Sequence, residues 1–328
     1  MFLLPDVWTW DAWFVDDGRQ FHAFYLKASR ALLDPHRRHE RASVGHAVSP
    51  DLRTWTELPD ALVPSDGPAF DDLAIWTGSV VREGDRWRMF YTALNHEGHS
   101  VYDQRIGSAI SDDLHHWTRV GDQPVAHPDP RWYKTLALVP PPEPHSAPLD
   151  GRSETWRDPL AFPDPDGNGW HLLVTARSAF AGRNDDGVIA HAAGPDLDHL
   201  EIGPPLCEPG VGFGQLEVVQ HKIIDGRSVL VFTCHPQEMT AERIAASGEY
   251  CTWSVPSPGP LGPWDIGQAR GFTAEPDLFA APLAQKRDGS WVIFGFRNLE
   301  LKGIDAFEIL DPIPVGLDAE GYLVKLEP

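Results

Sequence analysis

The chain has 328 residues, 42% hydrophobic and 23% charged, which supplies a sizeable core and excludes a disordered or low-complexity protein. Lys and Arg number 27 against 48 Asp and Glu, a formal charge of −21. Such a surface repels phosphate backbones and anionic headgroups, and argues against nucleic-acid and membrane partners. No run approaches the roughly 18 apolar residues of a spanning helix. The opening Met1-Phe2-Leu3-Leu4-Pro5-Asp6 lacks the basic start and apolar length of a signal peptide, so the sequence reads as cytoplasmic. Cys207, Cys234 and Cys251 show no metal-ligand spacing, which predicts buried thiols instead of a disulfide framework. With 31 Pro and 29 Gly, turns are frequent, and 13 Trp suit an all-β chain with flat indole faces for sugar rings.

In chain order, residues 7–13 read Val-Trp-Thr-Trp-Asp-Ala-Trp, strand-like but interrupted by an acid. An aromatic alternating run follows at 20–26. Residues 44–55 then form a strand that turns at Ser49-Pro50-Asp51-Leu52 and ends on Trp55, a turn in which a short side chain bonds the local backbone. The order recurs. Residues 75–80 (Ile-Trp-Thr-Gly-Ser-Val) precede an aromatic run at 86–92 and a second copy of the turn motif at 106–117. Residues 155–160 (Thr-Trp-Arg-Asp-Pro-Leu) precede a run at 170–175 and a third copy at 189–197. Residues 213–219 (Phe-Gly-Gln-Leu-Glu-Val-Val) precede a run at 228–233 and a degenerate copy near 250–264. Residues 273–279 (Thr-Ala-Glu-Pro-Asp-Leu-Phe) precede a fifth run at 290–296. Residues 238–247 are the one short helix candidate. Pro140-Pro141-Pro142-Glu143-Pro144 reads as a surface loop.

Five copies of a multi-strand unit, about 60 residues apart, predict an all-β, five-bladed β-propeller with four-stranded blades around a central channel. A β-sandwich or a pair of β domains is the alternative, but sandwiches do not usually repeat a motif at blade-length spacing. The propeller occupies residues 1–328 as a single domain, with no C-terminal β-sandwich. The first strand of each blade lines the channel, so acids on these strands converge. Asp11, Asp158 and Glu217 sit in apolar strand segments, where an unpaired charge is costly. Singly, Asp158 reads equally as a turn residue, Asp11 as a loop cap and Glu217 as an ion-pair partner. Together, at equivalent positions in three blades, they form a carboxylate set. Crowding separates their proton affinities, as glycosidic cleavage by an acid and a carboxylate requires.

These motifs resemble the five-bladed propeller glycoside hydrolases of families 32 and 68: β-fructofuranosidases, levanases and fructansucrases. Trp10-Asp11-Ala12-Trp13 resembles the fructansucrase nucleophile motif. Gly45-His46-Ala47-Val48-Ser49, with Asp51-Leu52 and Trp55, resembles a stretch of the invertases. Trp76-Thr77-Gly78-Ser79 and Trp156-Arg157-Asp158-Pro159 resemble two further shared motifs, and Gln215-Leu216-Glu217 sits where the acid/base motif is expected. The resemblance implies Asp11 as nucleophile, Glu217 as general acid and then base, and Asp158 as stabiliser of the oxocarbenium-like transition state with Arg157 beside it. It places Trp10, Trp13, Trp76 and Ser79 at the donor subsite, with Gln215 at a position often acidic. It implies a retaining double displacement, with the Asp11 and Glu217 carboxyls roughly 5 Å apart. The invertase Asn-Asp-Pro and Glu-Cys-Pro motifs are absent.

Lesser candidates are His96 and His99, which could reach the pocket rim, though a solvated loop fits them better than a metal site. Trp132 is an acceptor-sugar platform or a hydrophobic anchor. Glu275 either bonds substrate or closes the channel. The reading is a retaining β-fructofuranosidase or fructosyltransferase acting on sucrose or short fructosides, with a small saccharide as its partner and no cofactor or metal. The alternatives are an inverting family-43-type furanosidase and a non-catalytic sugar-binding propeller.

Overall fold

The computed structural model describes residues 4–97, 103–135, 154–182, 184–297 and 307–327. Blade one is β1 (Val7–Asp16), β2 (Phe21–Ser29), β3 (Ser43–Ser49) and β4 (Thr56–Leu62). Blade two is β5 (Ala74–Glu83), β6 (Arg86–Leu94), β7 (Arg105–Ser111) and β8 (Thr118–Arg119). Blade three is β9 (Trp156–Pro163), β10 (Trp170–Arg177), β11 (Gly187–Gly194) and β12 (Glu201–Gly203). Blade four is β13 (Glu217–Ile224), β14 (Arg227–Thr233), β15 (Thr252–Pro256) and β16 (Arg270–Gly271). Each is an antiparallel meander in chain order, and the fifth blade completes the propeller that the repeat spacing predicts.

Blade five departs from regularity. Its strands are β17 (Leu278–Phe279), β18 (Leu283–Gln285), β19 (Trp291–Ile293), β20 (Phe296–Arg297), β21 (Ile313–Leu317) and β22 (Leu323–Lys325). β17 pairs with β20, whereas β18 pairs with β19 in the four-stranded sheet. The interruption falls at Pro282, which has no N–H to donate and whose carbonyl accepts from Phe294 N at 2.9 Å. Residues 273–276, expected as part of the inner strand, form a turn. The helix candidate is α1 (Ala241–Ser247), capped by Thr240, whose side chain accepts from Arg243 N. The Pro-rich segment 140–144 lies outside the described residues.

The aromatic runs are the second strands of the blades, and the turn motif belongs to the third strands. Asp51 Oδ1 accepts from Arg53 N and Thr54 N at 2.9 and 2.7 Å. Asp113 Oδ1 accepts from His115 N and His116 N at 2.8 Å each. The glycine heading the motif has a packing reason. Tyr25 faces Gly45, and Tyr91 faces Gly107, across the second and third strands. A Cβ on Gly45 would lie 2.5 Å from the Tyr25 ring, and one on Gly107 2.4 Å from the Tyr91 ring. In blade three Val174 replaces the tyrosine, and Ala190 stands opposite it.

Polar ties between blades surround the channel. Ala161 N donates to Ser79 Oγ at 3.2 Å. Gln220 donates to Ala281 O at 2.9 Å and accepts from Leu283 N at 2.7 Å. The ring closes where Thr9 N donates to Phe307 O at 3.4 Å.

Gly107→Ala forces the buried Tyr91 ring to move, and should lower stability by about 1–3 kcal/mol in urea denaturation. Gly182→Ala, at a position with nothing within 4 Å of the added atom, should be neutral in the same measurement.

Candidate active site

The inner strands of four blades share a register shift. In blade one Trp10 pairs with Leu26 and Ala12 with Tyr25, leaving Asp11 as the extra residue of a β-bulge. Blade two shifts between Trp76 and Gly78, at Thr77. Blade three shifts at Asp158, beyond the Arg157–Thr175 pair. Blade four shifts beyond the Glu217–Thr233 pair, at Val218. Three of these four bulge residues adopt left-handed backbone angles, with φ of 35° at Asp11, 56° at Asp158 and 49° at Val218. Ala280 of blade five has φ 43°. Asp tolerates this region better than most residues, whereas a β-branched valine is there at a cost.

This register corrects one expectation. Asp11 and Asp158 occupy the same bulge position, but Glu217 stands one residue earlier, in the position held by Trp10, Trp76 and Arg157 in the other blades. The bulge residue of blade four is apolar.

Threonines lock the bulges together. Thr77 Oγ1 donates to Asp11 Oδ2 at 2.7 Å. Thr92 Oγ1 donates to Thr77 O at 3.0 Å and accepts from Asp158 N at 3.0 Å. Thr175 Oγ1 lies 3.1 Å from Asp158 Oδ2 and 2.9 Å from Leu216 O. Asp158 Oδ2 also accepts from Val218 N at 3.2 Å. Arg157 joins the last two acids: its Nε is 3.6 Å from Asp158 Oδ2, and its Nη2 donates to Glu217 Oε1. Asp11 Oδ1 is buried without a hydrogen-bond partner among the described residues.

Burial pushes Asp11 up to about 7; the Thr77 bond opposes this, while the charges of Asp158 and Glu217 add to it. Burial likewise pushes Asp158 up to about 6, against the pull of Arg157. Near neutrality, therefore, the cluster holds protons that isolated carboxyls would have lost.

Of the other expected site residues, Trp10 is buried beneath Arg38, whose guanidinium carbon is 5.4 Å from the indole centroid. Trp76 is partly buried and donates through Nε1 to His39 O at 2.7 Å. Trp13 lies in the same buried cluster as Trp10 and stacks on Phe24 at 6.1 Å. Ser79 is spent on the tie to Ala161. Gln215 is buried, with its Oε1 unpartnered among the described residues. Trp132 is partly buried against the core of blades three and four, which is the anchor reading. His96 is exposed and 3.2 Å from Asp72 Oδ1, the solvated-loop reading. Glu275 lies 3.5 Å from Lys325 of the outermost strand, β22. His99 lies outside the described residues.

Several residues at the site escape the sequence motifs. Arg38 and His39 arrive on a 3-10 turn, Pro35–Glu40, inserted between β2 and β3. Behind Arg157, buried Arg177 bonds Glu238 at 2.7 Å and Asp186 at 2.9 Å. Thr92, Thr175 and Thr233 were visible as the residues ending three of the aromatic runs, each opposite the residue that precedes a bulge.

The sign of the pH dependence follows from the raised Asp11. Its stabilising contribution is complete below about 3.8 and is lost as pH rises through about 7. Asp11→Asn keeps the shape without the charge. Urea denaturation should show the variant gaining on wild type between pH 4 and 8, by on the order of a few kcal/mol. A constant difference across that range would contradict the burial argument.

A model of the glycosyl hydrolases family 32 N-terminal domain matches residues 13–185, a span that contains Asp158 but neither Asp11 nor Glu217. β-Fructofuranosidase 1 of Zea mays is 31% identical over 180 residues, 53% of this chain and 23% of that protein. The chain thus spans less than a quarter of the length of that relative. Among solved structures, inulosucrase from Halalkalicoccus jeotgali bound to kestose has a TM-score of 0.72 at 19% identity, covering 99% of this chain and 89% of that one. Bacillus subtilis levansucrase also has a TM-score of 0.72, at 14% identity, covering 98% and 87%. These two share the fold. The matched model covers more than half of the chain, and the chain belongs to glycosyl hydrolase family 32.

Proposed function

We propose that the protein is a retaining β-fructofuranosidase-type hydrolase that cleaves sucrose or short fructosides by double displacement, with transfer to a second sugar as a side or main outcome. The observation that carries this reading is the hydrogen-bonded cluster of carboxylates from blades one, three and four. Asp11 presents an unpartnered carboxylate oxygen and acts as the nucleophile at the anomeric carbon. Glu217 protonates the leaving oxygen, then takes the proton of the water or sugar hydroxyl that resolves the fructosyl-enzyme. Asp158, fixed by Val218 N and the Thr175 hydroxyl, accepts hydrogen bonds from ring hydroxyls and offsets charge developing on the sugar. Arg157 pairs with the Glu217 carboxylate left once the acid has delivered its proton, and keeps Asp158 oriented. Trp10 and Trp76 supply apolar area for the furanose.

The catalytic groups belong to one propeller domain, residues 1–328. Cys207, Cys234 and Cys251 are buried free thiols, which supports a reducing compartment, and we assign the protein to the cytoplasm. No helix among the described residues is long and apolar enough to cross a membrane.

The test is incubation with sucrose and with short fructans, following glucose and fructose. Asp11→Asn and Glu217→Gln should each lower kcat by about 10³-fold or more, and proton NMR of the first-formed fructose should show the β-anomer. Turnover unchanged in Asp11→Asn, or inversion at the anomeric carbon, would defeat the proposal. A finer check uses Thr77→Val. Its loss removes the bond that lowers Asp11, so less nucleophile is ionised at a given acidic pH. The acid limb of kcat/KM should move to higher pH, with most activity regained on its plateau.

A further inference from the structure

A second concavity, the rear mouth, opens at the hairpin ends of inner strands of blades one, four and five. Lys222 on β13 is five residues beyond Glu217, about 16 Å at the rise of a strand. There a cavity of about 470 Å³ opens between blades one, four and five, within the roughly 300–1,000 Å³ range of small-molecule sites. Phe14, Phe21 and Trp291 form apolar walls, and Lys222, Lys286 and Arg287 carry three positive charges against the single carboxylate of Asp16.

Arg287 is already satisfied, with its Nη2 2.9 Å from Asp16 Oδ1 and its guanidinium 4.5 Å from the Phe21 centroid. Lys286 reaches only the well-exposed Asp288, at 3.9 Å, a weak pair. Lys222 makes no hydrogen bond or ion pair among the described residues, and burial alone pushes its ammonium down. Lys222 is therefore without a counter-charge among the described residues, and Lys286 has only a weak one, in a protein of net charge −21. A partly buried ammonium without a counter-charge carries a desolvation cost, and an anion there offsets it.

We propose that this rear mouth binds a phosphate dianion, with Lys222 and Lys286 as its cationic partners. The cavity exceeds what a bare phosphate fills, and its aromatic walls suit a phosphate carried on a sugar. Free phosphate is the other source of the same chemistry.

The experiment is calorimetric titration of the full chain with glucose 6-phosphate, inorganic phosphate and glucose. Both phosphates should bind and glucose should not. Tighter binding of glucose 6-phosphate assigns the site to a phosphorylated sugar, and equal affinity assigns it to free phosphate. Lys222→Met should weaken phosphate binding about tenfold or more, the loss of a charge-assisted bond, while Lys222→Arg retains it. Without ligand, Lys222→Met should melt at or above wild type, and glucose 6-phosphate should raise the melting temperature of wild type only. Gln285→Glu, an exposed change at the same mouth, adds a negative charge without touching the core and should also weaken binding. Failure of both phosphates to bind wild type at millimolar concentration overturns the proposal. So does undiminished binding in Lys222→Met or, should that variant not fold, in Gln285→Glu.

Discussion

The constraint on which the site depends is a backbone one: a single extra residue in an inner strand, held in a left-handed conformation. In a regular strand, neighbouring side chains point to opposite faces. The bulge breaks that alternation and re-aims one residue in each of four blades. Non-glycine residues in this region cost on the order of 1–3 kcal/mol each, and the surroundings offset that cost with threonine hydroxyls. The chain from Asp11 through Thr77 and Thr92 to Asp158 makes the geometry of blade one depend on blades two and three. A propeller closed only by apolar packing would leave these positions free to slip.

Electrostatics follows from the same arrangement. Two acids are desolvated because the bulges turn them inward, and they stay there because Arg157 and the hydroxyls meet part of their need. Arg157 is itself braced by buried acids: its affinity for its proton is raised by Glu217, Asp158 and Glu238. Positive and negative groups alternate from Glu217 through Arg157, Glu238 and Arg177 to Asp186 and Lys134. An uncompensated carboxylate cluster of this burial would strongly favour neutral forms of its members. The alternation gives Asp158 and Glu217 a counter-charge in Arg157, while Asp11 is pushed up to about 7.

Much of this was legible in the residues. The five aromatic runs, the Asx turns after Ser49 and Ser111, and the acids inside Trp-rich strands each have a local physical cause, so local pattern revealed them. The bulge register was not legible, because it depends on which residue of the second strand stands opposite. Counting along the chain therefore placed Glu217 level with Asp11 and Asp158, one residue out. Ser79 shares a motif with Trp76, yet an inter-blade bond to Ala161 occupies its hydroxyl. Arg38 and His39 come from an insertion between strands, whose path no periodicity encodes. The broken inner strands of blade five were hidden because residues 273–276 look strand-adjacent while Pro282 sets the actual interruption.

The shared bulge separates the framework from its cargo. Asp11, Asp158 and Val218 are three tenants of one kind of seat, a bulge with a left-handed backbone, and only two of them are acidic. The backbone distortion that aims an acid is present where the tenant is valine. New reactivity in such a ring requires a change of side chain alone, with no remodelling of main chain, and this gives one architecture room for several chemistries.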